Sequence, residues 1–298
     1  MNLSQIELLR VLQETGLNLS KAAEKMHVVQ SAVSRQLQLF EDELGSPLFV
    51  RKGKKLIALT PLGQQIMAEV SRINQAKLNI HNIAQDYINS ERGIIRIATT
   101  HTQAKYFLPQ PIQRFREKYP GVRIYIVQAS PEQLIVQLHE HKADIAVCTE
   151  RVQDDHDLVT QECYQWHHAV VMPTNHPLSE GDISYERLAR YPILTYSFGF
   201  TGRSNIESAF AVAGFHLDII LAAADTDVIK TYVRLGMGVG IIAAMAYDAL
   251  MDKDLIIRDL AHLIPKSTTK IAYLRQHYLP QYSRQFIQEL LLAAGKSQ

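Results

Sequence analysis

Residues 19–55 read LSKAAEKMHVVQSAVSRQLQLFEDELGSPLFVRKGKK, and the order of breaks in this stretch decides the fold of the front of the chain. Asn18-Leu19-Ser20 restarts a helix after a first one over about 4–15, whose Ile6, Leu9, Val11 and Leu12 are expected to face inward. Ser20 is the expected N-cap, and the small Ala22 and Ala23 allow a close helix crossing. His27-Val28-Val29 interrupts the pattern. From Gln30 or Ser31 a longer helix resumes, with Val33, Leu37, Phe40 and Leu44 on one face and Gly45 as its stop. A hairpin follows, carrying Arg51, Lys52, Lys54 and Lys55 around Gly53. Helix, tight break, second helix and basic hairpin form a winged helix-turn-helix, a layout that reads duplex DNA.

In that layout the apolar face of the second helix is occupied by packing. Gln30, Ser31, Ser34, Arg35 and Gln38 remain near its exposed N-terminal half, which should enter the major groove. Gln and Arg can bind base edges in bidentate fashion, while Ser31 and the helix start suit a phosphate. Arg51, Lys52, Lys54 and Lys55 on the wing should meet backbone phosphates, adding affinity without selecting sequence. Taken singly, each is an ordinary solvated charge; it is their coincidence with the break and the wing that points to double-stranded DNA as a partner.

The bulk numbers agree with a local patch. The 298 residues are 47% hydrophobic with net charge +1, enough for about two or three domains. Residues 1–90 carry 10 Lys and Arg against 8 Asp and Glu, and the rest 21 against 22. MNLSQIELLR lacks the basic start and apolar run of a secretory signal, and no apolar run is long enough to span a bilayer. A cytoplasmic protein with no membrane association is expected. Cys148 and Cys163 are not in CxxC spacing and read as two reduced thiols.

Thr60-Pro61 starts a helix expected to run to about 89, with Ile66, Val70, Ile73, Ile80, Ala84 and Tyr87 in heptad-like spacing and Lys77 as the odd member. Such a helix needs a partner, most simply its own copy in a dimer. After Gly93 the pattern becomes α/β. Strands are expected at 94–99, 122–127, 143–148, 167–172, 192–196, 217–223, 238–244 and 269–274, with helices at about 103–118, 131–141, 203–213, 226–235 and 280–294. The fold class expected is therefore α/β: a winged helix-turn-helix over 1–60, a dimerising linker helix over 61–91, and over 92–298 a two-lobed regulatory domain of periplasmic-binding-protein type.

Thr100, Thr102 and Gln103 follow one strand and open a helix, and Ser130 and Thr149 follow two others. Ligands of open α/β sheets bind at such strand ends, where hydroxyls and free helix N–H groups hold an anion without a cationic side chain. Thr201 and Arg203 should face them from the other lobe, and Trp166, near the expected lobe crossing, should form a wall. Each threonine alone could be only a cap or turn former. Enzyme readings are weaker. His139/His141 and His167/His168 lack carboxylate or cysteine partners at metal-ligand spacing, so no metal is expected. Cys163 with His167 lacks an orienting third group. GMGVG at 236–240 follows a helix rather than a strand, so it is no dinucleotide fingerprint and no cofactor is expected. A stand-alone solute-binding protein is the stronger rival, opposed by the missing export signal and the front-end DNA unit.

The pattern from Leu3 to Gly63, with S-K-A-A, QSAVSRQ, FEDELG, LFVR and LTPLG, resembles the LysR-type transcriptional regulators. ATTHTQAKYFLP, TYSFGFTGRS, TDVIKTYVRLGMGVGIIA and STTKIAY resemble the cysteine-regulon activator branch of that family, and the likeness runs over essentially the whole chain. The resemblance implies a regulator of sulfur assimilation and cysteine biosynthesis genes, not an enzyme. It also implies N-acetylserine or O-acetylserine as inducer, sulfate or thiosulfate as competing anion, RNA polymerase as a contact, and a homodimer assembling to a homotetramer. In two places the chain departs from that branch. It stops at Gln298 where some members carry a longer tail, which puts tail-dependent functions in doubt. Cys148 stands at a strand end where a small apolar residue is expected, which alters the pocket slightly.

Overall fold

The computed structural model describes residues 1–88, 91–149 and 155–295. The chain folds as two compact units, Met1–Gln85 with Gln276–Tyr278, and Asp86–Arg275 with Leu279–Gln298. Most of the expected linker helix therefore belongs to the first unit instead of standing as a separate domain, because its first turns complete that unit's core through Met67 and Val70. The expected exit of the linker at 89 and 90 lies outside the described residues.

In the first unit, α1 spans Leu3–Glu14 and opens with a reciprocal cap between Asn2 and Gln5. It buries Ile6, Leu8, Leu9, Val11 and Leu12. Helix α2 spans Leu19–Lys25 and is capped by Asn18, not by Ser20. The Asn18 side-chain oxygen accepts from the Ser20 and Lys21 N–H groups at 3.0 and 3.1 Å, which places Ser20 already inside the helix. His27 at φ +56° makes the break, and α3 runs Gln30–Leu44 to Gly45 at φ +71°. Its inward face is Val33, Leu37, Phe40 and Glu41, while Leu44 is exposed. Glu41 is buried because its carboxylate accepts from the Leu48 and Phe49 N–H groups at 2.8 and 3.2 Å and pairs with Arg51 at 2.5 Å. The antiparallel wing is β1 (Phe49–Lys52) and β2 (Lys55–Leu59), turning at Gly53, φ +63°. Thr60 then caps α4, Pro61–Ile88, by accepting from the Gly63 N–H at 2.9 Å. A Cβ on Gly63 would lie 2.1 Å from the Leu48 carbonyl, so only glycine lets this helix start so close to the wing.

The second unit holds two five-stranded sheets. The first contains β3 (Gly93–Thr99), β4 (Val122–Gln128), β5 (Ile145–Thr149), β6 (Leu158–Trp166) and β12 (Ser267–Leu274), in the order β4-β3-β5-β12-β6. The second contains β7 (His168–Pro173), β8 (Ile193–Tyr196), β9 (Ile219–Ala223), β10 (Val239–Ala243) and β11 (Leu255–Asp259), in the order β11-β7-β10-β8-β9. In each sheet the βαβ strands are parallel; β12 and β7 run antiparallel to them, and the edge strands β6 and β11 pair antiparallel with β12 and β7. Helices α5 (Pro109–Lys118), α6 (Pro131–His139) and α10 (Gln281–Gly295) pack on the first sheet, and α7 (Tyr185–Leu188), α8 (Thr201–Val212) and α9 (Thr226–Arg234) on the second. The chain crosses at 166–168 and returns at 260–267, where Ser267 pairs with Trp166. Two strands lie outside the sequence expectations, β6 and β11. Strand β6 alternates irregularly and exposes Gln161, Glu162 and Gln165, so it lacks the continuous apolar run of its neighbours.

Candidate functional site

In the first unit, Gln30, Ser31, Arg35 and Gln38 are all exposed along the N-terminal half of α3, and Ser34 is half-buried beside them. The exposed start of α3, with Val29 offering no side-chain cap, leaves its first N–H groups free for a phosphate. Gln38 donates to Asp42 at 2.8 Å, so contact with a base requires that bond to open. Lys52, Lys54 and Lys55 are exposed on the wing. Arg51 differs from them: its guanidinium is held by buried Glu41 at 2.5 Å, and it ties the wing to α3 before it can serve any phosphate.

In the second unit, a cleft with about 400 Å³ of space, part of it open to solvent, lies between the two sheets, within the range of small-ligand sites. Thr100, Thr102, Gln103, Thr149, Trp166 and Thr201 line it, joined by Tyr196, Phe200, Gly202 and Ala243. No lining side chain is charged. The floor on the first lobe is a continuous helical segment that opens at His101 with a π turn over Gln103–Phe107, in which the Leu108 N–H reaches the Gln103 carbonyl at 2.9 Å. The wide turn brings Gln103 under the sheet, where it is 2% exposed. Its Nε2 donates to Thr269 Oγ1 at 3.1 Å and its Oε1 accepts from the Tyr164 hydroxyl, which leaves one amide N–H for a ligand. The wall on the second lobe is the start of α8, whose N-cap Phe200 makes no side-chain capping bond.

The lobes are tied across the cleft by hydroxyl pairs. Thr149 Oγ1 donates to Thr201 Oγ1 at 2.8 Å, and Thr102 and Thr226 hydroxyls meet at 3.1 Å. Beside them, Lys105 and Tyr106 of the first lobe both bond Asp227 of α9, at 2.5 and 2.8 Å. Buried Lys230 adds bonds to Tyr106, Ala246 and Asp252 at 3.0, 2.9 and 2.8 Å. Burial pushes the Asp227 carboxyl up, but bonds from Lys105, Tyr106 and Lys230 outweigh it and hold the group below its ordinary value. This polar strap has no counterpart in the sequence reading, since its members lie 121 to 124 positions apart.

Two expected ligand contacts fall elsewhere. Ser130 heads α6 and its N–H is held by Gln133 at 3.3 Å; it caps the helix and is not among the lining residues. Arg203 is 5% exposed, donates to the Tyr196 carbonyl at 3.0 Å, pairs with Glu207 at 2.9 Å and covers the Phe198 ring at 4.5 Å. Its guanidinium fastens the loop ahead of α8 and does not line the cleft. Tyr196 and Ala243 were not singled out in the sequence, although both sit at strand ends, the signal that picked out Thr100 and Thr149.

Residues 3–64 match the family described as bacterial regulatory helix-turn-helix protein, lysR family, and residues 89–294 match the LysR substrate binding domain. The chain is 40% identical over 289 residues to the HTH-type transcriptional regulator SsuR of Burkholderia cenocepacia, covering 97% of this chain and 94% of that protein. It is 40% identical to CysB of Haemophilus influenzae over 97% of this chain and 89% of that one, and 38% identical to cbl of Escherichia coli over 100% and 94%. Among solved structures, the cofactor-binding domain of the Cbl transcriptional regulator superposes with TM-score 0.65 at 39% identity, covering 67% of this chain and 88% of that one. A full-length OxyR variant from Pseudomonas aeruginosa shares the fold, with TM-score 0.72 at 22% identity, over 99% of this chain and 97% of that one. A helix-turn-helix in the first unit and a ligand-sized cleft in the second thus occur in one chain together with both signatures, and the protein belongs to the LysR family of transcriptional regulators.

Proposed function

We propose that this protein regulates sulfur-assimilation and cysteine-biosynthesis genes by sensing acetylserine, with sulfate or thiosulfate competing for overlapping space in the cleft. One observation carries the reading: a cleft lined by Thr100, Thr102, Gln103, Thr149, Tyr196 and Thr201, donors without a charged side chain among them. Neutral donors and the uncapped start of α8 suit a carboxylate or sulfur oxyanion held reversibly, and the resemblance to the cysteine-regulon branch of the family implies the same class of effector. Ligand in the cleft favours one arrangement of the lobes, which alters how paired readers grip and bend a promoter, and so how RNA polymerase is met.

The linker supports pairing. Ile80, Ile83, Tyr87 and Ile88 of α4 are exposed at 69, 48, 93 and 76%, an apolar stripe that a second copy of the same helix would cover. A homodimer assembling to a homotetramer across two half-sites follows from that stripe and from the family resemblance. Footprinting of the purified protein on cysteine-pathway promoters, with and without N-acetylserine, O-acetylserine, sulfate and thiosulfate, tests the whole reading. The expected result is a protected site whose extent changes with ligand. A footprint indifferent to all four compounds overturns the effector assignment, and no footprint on any promoter overturns the function.

A further inference from the structure

His168 opens β7 immediately after the chain crosses between lobes, and it is fully buried. Neither of its ring nitrogens has a hydrogen-bond partner, and the indole N–H of Trp166 beside it is likewise unpartnered. The two rings lie 4.9 Å apart. A neutral imidazole carries one donor and one acceptor, and leaving a buried polar atom unpaired costs about 1–3 kcal/mol. Two neighbouring unpartnered groups therefore mark a place built to be completed by something polar.

The location says what. Trp166, Gly202 and Ala243 are three of the cleft's lining residues, and all three border His168: Trp166 by ring contact, Ala243 as its partner across the β7–β10 ladder, and Gly202 by approach. A Cβ on Gly202 would stand 3.1 Å from His168 Nε2. Gly202, which lines the cleft, thus lies close against the His168 and Tyr196 rings and leaves no room there for a methyl group without displacement. An oxyanion entering this uncharged cleft gains most from a group that can become positive beside it.

We propose that His168 is a specificity-determining residue of the cleft, which takes up a proton from solvent when a doubly charged sulfur oxyanion binds and then donates an N–H toward it. The charged and titratable groups around it leave that role open. His167, the residue just before its strand, is 3.0 Å from Asp259 of β11. Arg203 of α8 is paired with Glu207, Tyr196 of β8 accepts from the Ala243 N–H, and on α9 Asp227 and Lys230 are engaged with Tyr106 and Asp252. β10 contributes only Val239–Ala243, without a titratable side chain. Burial, and next to it His167, lower the His168 pKa to about 4, so the free protein holds it neutral and the proton arrives with the anion.

The inference rests on the reading of the cleft as an oxyanion sensor. Sulfate binding to the full chain is measured by calorimetry from about pH 6 to about pH 8, a range in which sulfate itself does not titrate. Linked uptake of one proton makes affinity fall by up to about tenfold per pH unit. His168→Gln, which keeps a neutral donor and acceptor, should flatten that slope. Gly202→Ala, whose methyl group would stand 3.1 Å from Nε2 and press the imidazole away from the cleft side, should flatten it as well. A flat wild-type profile overturns the inference whether or not the variants fold. A folded variant that keeps the wild-type slope overturns it too. Failure of sulfate and thiosulfate to bind at any pH removes the oxyanion reading itself, and this inference with it.

Discussion

At the scale of single residues, buried polar groups decide most of what is specific to this chain. Glu41 satisfies two backbone N–H groups and the Arg51 guanidinium from a position 4% exposed. Glu41→Ala orphans all of them and should lower the stability of the first unit by about 2–4 kcal/mol, read as a drop in the urea midpoint with an unchanged slope. His168 gives a pH signature. Its folded pKa of about 4 lies below the ordinary 6.5, so the unfolded chain binds the extra proton between these values. Stability from this group is therefore complete above about pH 6.5 and declines toward pH 4. Urea melts without sulfate should show the wild type losing ~2 kcal/mol between about pH 6.5 and 5 relative to His168→Gln. Equal losses in both proteins would place the acid sensitivity elsewhere. Thr102 meets Thr226 across the cleft, and Thr102→Ala should blunt the acetylserine response while leaving basal DNA binding intact. Ligand-dependent gel shifts unchanged from wild type would exclude that role.

At the scale of elements, the reading helix and the wing divide the work on DNA. Arg35 is exposed on α3 and Lys54 on the wing turn. Arg35→Ala should relax sequence preference by about 1–3 kcal/mol at one base pair, whereas Lys54→Ala should weaken all duplexes alike and reduce the salt slope by about one. Binding measured on matched and mismatched duplexes over a salt series separates the two outcomes. Helix α4 is 28 residues, about 42 Å at 1.5 Å per residue, and its outer half presents Ile80 and Tyr87 to solvent in a single chain. Ile80→Glu should shift the mass measured by light scattering from dimer or tetramer toward monomer and weaken operator binding together. An unchanged mass would move the pairing surface off this helix.

At the scale of the whole molecule, the cleft is bridged by contacts that the proposed ligand would have to replace. Thr149 and Thr201, and Thr102 of the Thr102–Thr226 pair, line the site, so a ligand bonding these hydroxyls would exchange inter-lobe bonds for its own. Such an exchange would link site filling to lobe arrangement without any need for large motion. By linkage, whatever factor the ligand applies to DNA affinity, DNA applies to ligand affinity.

Much of this was legible from residue order alone. The helix-turn-helix, the wing, the linker start at Thr60-Pro61 and eight strands of the regulatory domain follow from local signals: hydrophobic period, proline and glycine at element ends, and donors placed just after apolar strands. These signals are short-range, and short-range physics is what a sequence displays directly. Tertiary structure alone decided that Asn18 and not Ser20 caps α2, that Glu41 and not Leu44 faces inward, and that Ser130 and Arg203 serve the scaffold while Tyr196 and Ala243 line the cleft. It also brought Tyr106 to Asp227 and left His168 buried without a partner. Each of these depends on which distant group arrives to satisfy or abandon a polar atom, and a buried polar atom's worth is set by that arrival.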